Sequence, residues 1–93
     1  MIVASLHLLL RLQASSSLKE KRRVMSSVKT RLSNRFNLSI AEIGQKDSWT
    51  EAELGIAVVA EERALVDRVL EQVTRFLDAD VRLEVVHRVV EYF

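Results

Sequence analysis

Ser15-Ser16-Ser17-Leu18-Lys19-Glu20-Lys21-Arg22-Arg23 is where the chain turns from one periodicity to another. Before it, apolar residues recur every second position; after it, every third or fourth. Ser17 followed by Glu20 is the reciprocal capping pair, in which two side chains satisfy free amides at a helix start. The helix that begins here therefore carries Lys19, Lys21, Arg22 and Arg23 in its first turns. That is the unfavourable end for cations, because unpaired N–H groups make a helix N-terminus positive. An anion at this position would compensate.

Upstream, Ile2 to Leu12 reads as a strand, with Ile2, Ala4, Leu6, Leu8, Leu10 and Leu12 on one face. Val3, Ser5, His7, Leu9 and Arg11 form the other. Apolar residues on both faces indicate a central strand. Downstream, the helix runs to about Phe36. At about 100° per residue its apolar arc holds Leu18, Val24, Met25, Val28, Leu32 and Phe36. Asn37 is placed to end it as a left-handed residue. Leu38 to Gln45 reads as a second strand and Leu54 to Ala60 as a third, joined by the polar segment Lys46 to Glu51. Gly55 inside that strand marks a close approach by another backbone.

Glu62 to Asp78 is a second amphipathic helix, striped by Leu65, Val66, Val69, Leu70, Val73, Phe76 and Leu77. Val69, Val73 and Phe76 are expected to pack on the sheet beside Met25, Val28 and Leu32. Val81 to Phe93 is a last strand, alternating Leu83, Val85, His87 and Val89 against Glu84, Val86, Arg88 and Val90. The order βαββαβ predicts an α+β, ferredoxin-like single domain over 1–93: a four-stranded antiparallel sheet with two helices on one face. The other face has no helix. Val3, Leu9, Ala57, Val59, Val86 and Val90 make it apolar, so a partner is expected there, first of all a second copy of the chain.

Composition narrows the function classes. Almost half the residues are apolar, which argues against disorder. With no cysteine there is neither a disulfide frame nor thiolate chemistry. No run is long enough to span a bilayer, and the N-terminal segment lacks the basic region of a signal peptide. The expectation is a cytoplasmic protein without a membrane role. Charge is unevenly spread. Ser17 to Phe36 holds seven Lys/Arg against Glu20 alone, whereas Asn37 to Asp80 holds four basic and ten acidic residues.

No catalytic constellation is present. Asp47, Ser48 and Glu51 lie together without a nearby histidine base, so they read as turn residues. His7 and His87 are the only imidazoles and lack metal-ligand spacing; with Leu83 and Val85 inward, His87 faces the core and His7 faces out. The two glycines form no phosphate loop. The first and third strands carry no aromatic ring for base stacking. Trp49 reads as a lid over the edge of its own core, with an anchor for a partner as the alternative. Arg31 and Arg35 read as partners for acidic parts of the chain. What is left as an anion or nucleic-acid site is Lys19, Lys21, Arg22, Arg23 and Lys29. Lys21 falls inside the apolar arc, so its ammonium either meets an anion or snorkels to water or a nearby carboxylate.

Taken together, Ser17 to Arg23, Phe36-Asn37-Leu38-Ser39-Ile40-Ala41-Glu42, Asp47-Ser48-Trp49 and Ala52-Glu53-Leu54-Gly55-Ile56-Ala57 give the chain a recognisable cast. It resembles the YlxP-like family of small uncharacterised bacterial proteins over nearly all its length. That resemblance implies a ferredoxin-like fold. It also implies a link to translation or ribosome assembly, because the family's genes often lie beside those for a translation initiation factor and ribosome-binding factor A. It supplies no catalytic residue and no cofactor. The expectation is a non-enzymatic factor binding RNA, the ribosome or a translation factor through the basic helix start. The alternative is a homodimeric interaction module that uses the open sheet face and has no nucleic-acid role. No small-molecule substrate is evident.

Overall fold

The computed structural model describes all 93 residues. The elements are β1 (Ile2–Leu12), α1 (Leu18–Arg35), β2 (Ser39–Gly44), β3 (Glu51–Ala60), α2 (Arg63–Asp78) and β4 (Leu83–Tyr92). The strands form one antiparallel sheet in the order β2-β3-β1-β4, the ferredoxin-like arrangement. No helix is long and apolar enough to cross a membrane.

The core lies between the sheet and the two helices. Alternate residues of β1 (Ala4, Leu6, Leu8, Leu10, Leu12) and β3 (Ala52, Leu54, Ile56, Val58) face it. Met25, Val28 and Leu32 of α1 and Val66, Leu70, Val73 and Leu77 of α2 close it from the other side. Burying each larger aliphatic side chain is worth about 1.5–3 kcal/mol. Summed over the buried face of β1 this exceeds any single helix cap, so the two faces of β1 decide which side receives the helices. The stripe of α2 is turned from the expected one. Val73 is buried, but Val69 and Phe76 only pack against the rim of the core, and Leu65 is exposed.

Local chemistry sets the element ends. Ser17 caps α1, its Oγ accepting from the Glu20 amide at 3.1 Å. The return arm goes one residue further back than the usual box: Glu20 Oε2 accepts from the Ser16 amide at 2.8 Å and the Ser16 hydroxyl at 3.1 Å. Asn37 is not left-handed. α1 ends on Phe36 in an extended conformation, and the positive φ values belong to Ala14 and Gln45. β3 begins at Glu51, earlier than expected, because Ser48 Oγ accepts from the amides of Thr50 and Glu51 and aims the chain into the sheet. Trp49 is 53% exposed and covers none of the core.

Two bulges correct the face assignments. In β4, Leu9 pairs with His87 but Leu10 pairs with Val85, leaving Val86 as the extra residue. Beyond it every side chain changes sides. His87 faces away from the helices, on the same face as His7. Val90 turns to the helices and packs against the core, so it does not belong to the open face. In β2 a similar irregularity falls between Glu42 and Gly44. It lays Ile43 over Gly55, where an added Cβ would sit 3.1 Å from Ile43 Cγ2. The close neighbour that Gly55 admits is thus a side chain.

Candidate functional site

α1 is built on its apolar stripe, and its cations are distributed around that stripe. Lys21 lies within it. At 1% relative exposure it is the one buried charged residue of the chain. Its Nζ sits 3.3 Å from Glu42 Oε2 and donates to the backbone carbonyl of Gln45. The left-handed turn at Gln45 lies at the β2 end that presents that carbonyl. Lys21 is therefore removed from the set of exposed anion-binding cations. Its charge is used inside the protein, because a buried ammonium requires a paired, hydrogen-bonded partner.

The other four expected residues are accessible and lie on different sides of α1. Lys19 and Arg23 project from the outer surface. Arg22 and the half-buried Lys29 look towards the β2 edge, where they line a cleft of about 540 Å³ with Lys46, Glu42 and Asp47. Glu20 is the only acid on the helix. Its carboxyl is held below the usual range by the Ser16 amide and hydroxyl, with the Arg23 charge adding to this, so it remains ionised and engaged with the cap.

Arg31 and Arg35 do not pair with acids. Both lie against aromatic rings where the C-terminal half of α1 meets α2. The Arg31 guanidinium carbon is 5.0 Å from the Phe76 ring centre, and that of Arg35 is 5.6 Å from Phe76 and 6.0 Å from Phe36. The two rings meet edge to face at 6.4 Å. A cleft of about 830 Å³ opens beside them, lined also by Gln72, Arg75 and Asp80. Asp80 is already committed: Arg82 grips it through two side-chain bonds and its own amide, and this holds its carboxyl below the usual range. This differs from the roles expected of them, Arg31 and Arg35 as partners of acids and Phe76 as a residue packed on the sheet; the spacing of Arg31 and Arg35 one turn apart, just before Phe36, is the only local signal of it.

One contrast sums the electrostatics. Of the seven Lys/Arg on α1, Lys21 alone forms a salt bridge. Elsewhere Arg11, Arg63, Arg75 and Arg82 are all bridged, to Glu84, Asp67, Glu71 and Asp80. On the open sheet face, His7 Nε2 lies 3.0 Å from Glu53 Oε2, and Gln45 Nε2 donates to Glu53 Oε1 at 3.2 Å. Around this polar pair stand Val3 and Leu9, half-buried, with Ala57, Val59 and Val89 exposed.

Comparison with known proteins agrees with this architecture. Residues 3–89 match the family described as "Protein of unknown function (DUF503)", and the chain belongs to that family. It is 41% identical over 70 residues to "Uncharacterized protein YlxP" of Bacillus subtilis (strain 168), covering 75% of this chain and 76% of that protein. Among solved structures it is similar in fold to "De novo designed protein Foldit4". The TM-score is 0.52 at 14% identity, covering 100% of this chain and 97% of that one.

Proposed function

We propose that this protein is an RNA-associated, non-enzymatic factor, of the kind that attends the ribosome, and that it grips a phosphate backbone with the cations spread around the accessible arc of α1. The observation that carries this reading is the charge distribution on that helix. Lys19, Arg22, Arg23, Lys29, Arg31 and Arg35 have no carboxylate partner in a chain whose other arginines mostly do. Ser26, Thr30, Ser33 and Asn34 lie between them and add hydrogen-bond donors suited to phosphate oxygens. Such a surface fixes a backbone without reading its sequence.

Fluorescence anisotropy of a labelled RNA hairpin, titrated between 50 and 300 mM salt, tests the reading. Binding should weaken linearly with log salt. Arg22→Gln with Arg23→Gln should lower the slope by about 1.4–1.8, two phosphate contacts' worth. A parent protein with no measurable RNA affinity at 50 mM salt would refute it.

A second reading rests on the open sheet face, where Val59 is 49% exposed and Val89 37%. With Val3, Leu9 and Ala57 they make a patch that a second copy of the chain would cover in an isologous pair. A dimer burying at least about 1,000 Å² would qualify as specific. Val59→Asp with Val89→Asp should then convert a dimer to a monomer in light scattering. A parent that is already monomeric at micromolar concentration removes this role.

A further inference from the structure

We propose that the cleft between the C-terminal halves of α1 and α2 is a nucleotide site: Arg31 and Arg35 hold a phosphate and present a stacking surface to a base. The inference rests on the RNA-binding reading and deepens it, adding an unpaired base to a surface that otherwise sees only phosphates.

Three features of the cleft point to this chemistry. First, it holds unneutralised positive charge. Asp80 feels the Arg31 charge, but it is paired with Arg82 through three hydrogen bonds at 2.7, 3.0 and 3.0 Å and forms no ion pair with Arg31, so its one negative charge does not balance Arg31 and Arg35 as well. Arg75 at the opposite wall is held by Glu71. Second, both free guanidinium groups rest on Phe76, at 5.0 and 5.6 Å from its centre. A guanidinium held on a ring keeps its N–H groups free to bond phosphate oxygens and offers its outer plane to a base. The side chain is thereby partly ordered before the ligand arrives, which lowers the entropic cost of binding. Third, at about 830 Å³ the cleft has room for a nucleotide, and Gln72 on its wall carries both a donor and an acceptor for a base edge.

Helix C-termini are electronegative, and arginines there would also serve to offset the helix dipole. That role requires charge alone. It does not require the Phe36–Phe76 pair beneath the guanidinium groups or a cleft in front of them. An inorganic anion and a nucleotide are therefore told apart by whether the base adds affinity.

The test is a two-dimensional amide NMR titration of the ¹⁵N-labelled full chain with inorganic phosphate, 5′-AMP, a single-stranded adenine hexamer and an RNA duplex. We expect 5′-AMP and the hexamer to shift the amides of Arg31, Arg35, Phe36 and Phe76, with at least tenfold tighter binding than phosphate. Arg31→Gln with Arg35→Gln should abolish these shifts. Phe76→Leu, checked for folding by its own spectrum, should bring 5′-AMP down to the phosphate level. Should Phe76→Leu not fold, Arg31→Lys with Arg35→Lys replaces it: charge is kept, the planar groups are lost, and the advantage of 5′-AMP should disappear. Equal affinity for phosphate and 5′-AMP overturns the proposal. So does hexamer binding that moves only amides near Lys19, Arg22 and Arg23, an outcome that leaves the RNA reading standing. If 5′-AMP shifts the cleft while hexamer and duplex bind nowhere, the site takes a free nucleotide and the RNA reading fails instead.

Discussion

Lys21 shows how the need of one side chain can be read from the sequence while the identity of its partner cannot. Its position in the apolar arc of α1 is visible from spacing alone, and so is the need for an anion. The anion is Glu42, with the Gln45 carbonyl beside it. Glu42 is supplied by β2 and the carbonyl by the turn residue that follows it, and only the register of an edge strand brings them there. Removing one member of a buried pair leaves the other charge uncompensated. Glu42 keeps some access to water, its side chain being 19% exposed. Lys21→Ala is therefore expected to cost about 2–4 kcal/mol, below or within the range for a fully buried pair. Lys21→Met with Glu42→Leu should restore most of this, because the charges leave together and the stem is replaced by apolar volume. Urea unfolding of the three proteins checks both parts. Acid stability follows from the same kind of contact. The carboxyls of Glu53, held by His7 and Gln45, of Asp67, held by Tyr92, and of Asp80, held by Arg82, all sit below their ordinary range. A carboxyl depressed in the folded state adds stability above its unfolded value. For these groups those values are 3.8 to 4.5, and the contribution is lost as pH falls through the lower folded value. Melting temperature should thus fall steadily below about pH 4.5 and be flat above about pH 5.5, and Asp80→Asn should shallow the acid limb.

At the scale of elements, the β4 bulge separates what was legible from what was not. β1 has a face of six aliphatic residues in strict alternation, and β3 repeats it, so the sheet side that receives the helices is fixed by pattern. The cap at Ser17 and the polarity of the loops place the helices between strands. β4 has no such pattern in its second half: Val85, Val86, Val89 and Val90 are apolar at both parities, and either register buries valine. The choice is made by partners on α2. Tyr92 Oη donates to Asp67 at 2.6 Å and Arg88 Nε to Thr74 Oγ1 at 3.0 Å, and both bonds need Val86 to be looped out. Long-range choices of this kind leave no local periodicity to read. The placement of Arg31 and Arg35 over the Phe76 ring has the same character, since it depends on how α2 is rolled about its axis. The bulge gives opposite expectations for neighbouring residues. Val90→Asp would bury a charge against the core and should destabilise the monomer by several kcal/mol. Val89→Asp lies on the open face and should change monomer stability by no more than about 0.5 kcal/mol. Thermal melts of the two variants at low protein concentration decide between the observed register and the one without a bulge, which reverses the order.

The whole molecule is two-sided. The helices, with α1 and its six unpaired cations, cover one face of the sheet, and the apolar patch around Val59 and Val89 occupies the other. A second copy docked on the open face therefore leaves both α1 helices outward, on opposite sides of the pair. In that geometry the two proposed surfaces are independent for any ligand too short to wrap around the dimer. A long RNA that reaches both sides gains avidity without a new contact, whereas a hairpin of about ten base pairs does not. This predicts two results for Val59→Asp with Val89→Asp, the variant expected to be monomeric. Its affinity for the short hairpin, per protomer and at fixed salt, should match the parent within about twofold. Its affinity for a long structured RNA should fall by tenfold or more, towards the hairpin value, since effective concentration across linked sites commonly contributes about 10²–10⁴. Both added carboxylates lie on the face away from α1, beyond about one Debye length at 0.15 M salt, so a direct repulsion of RNA would be screened. If hairpin binding also collapses in the variant, α1 does not act alone: the RNA surface includes the open sheet face, and the division of the protein into a nucleic-acid side and a pairing side is wrong.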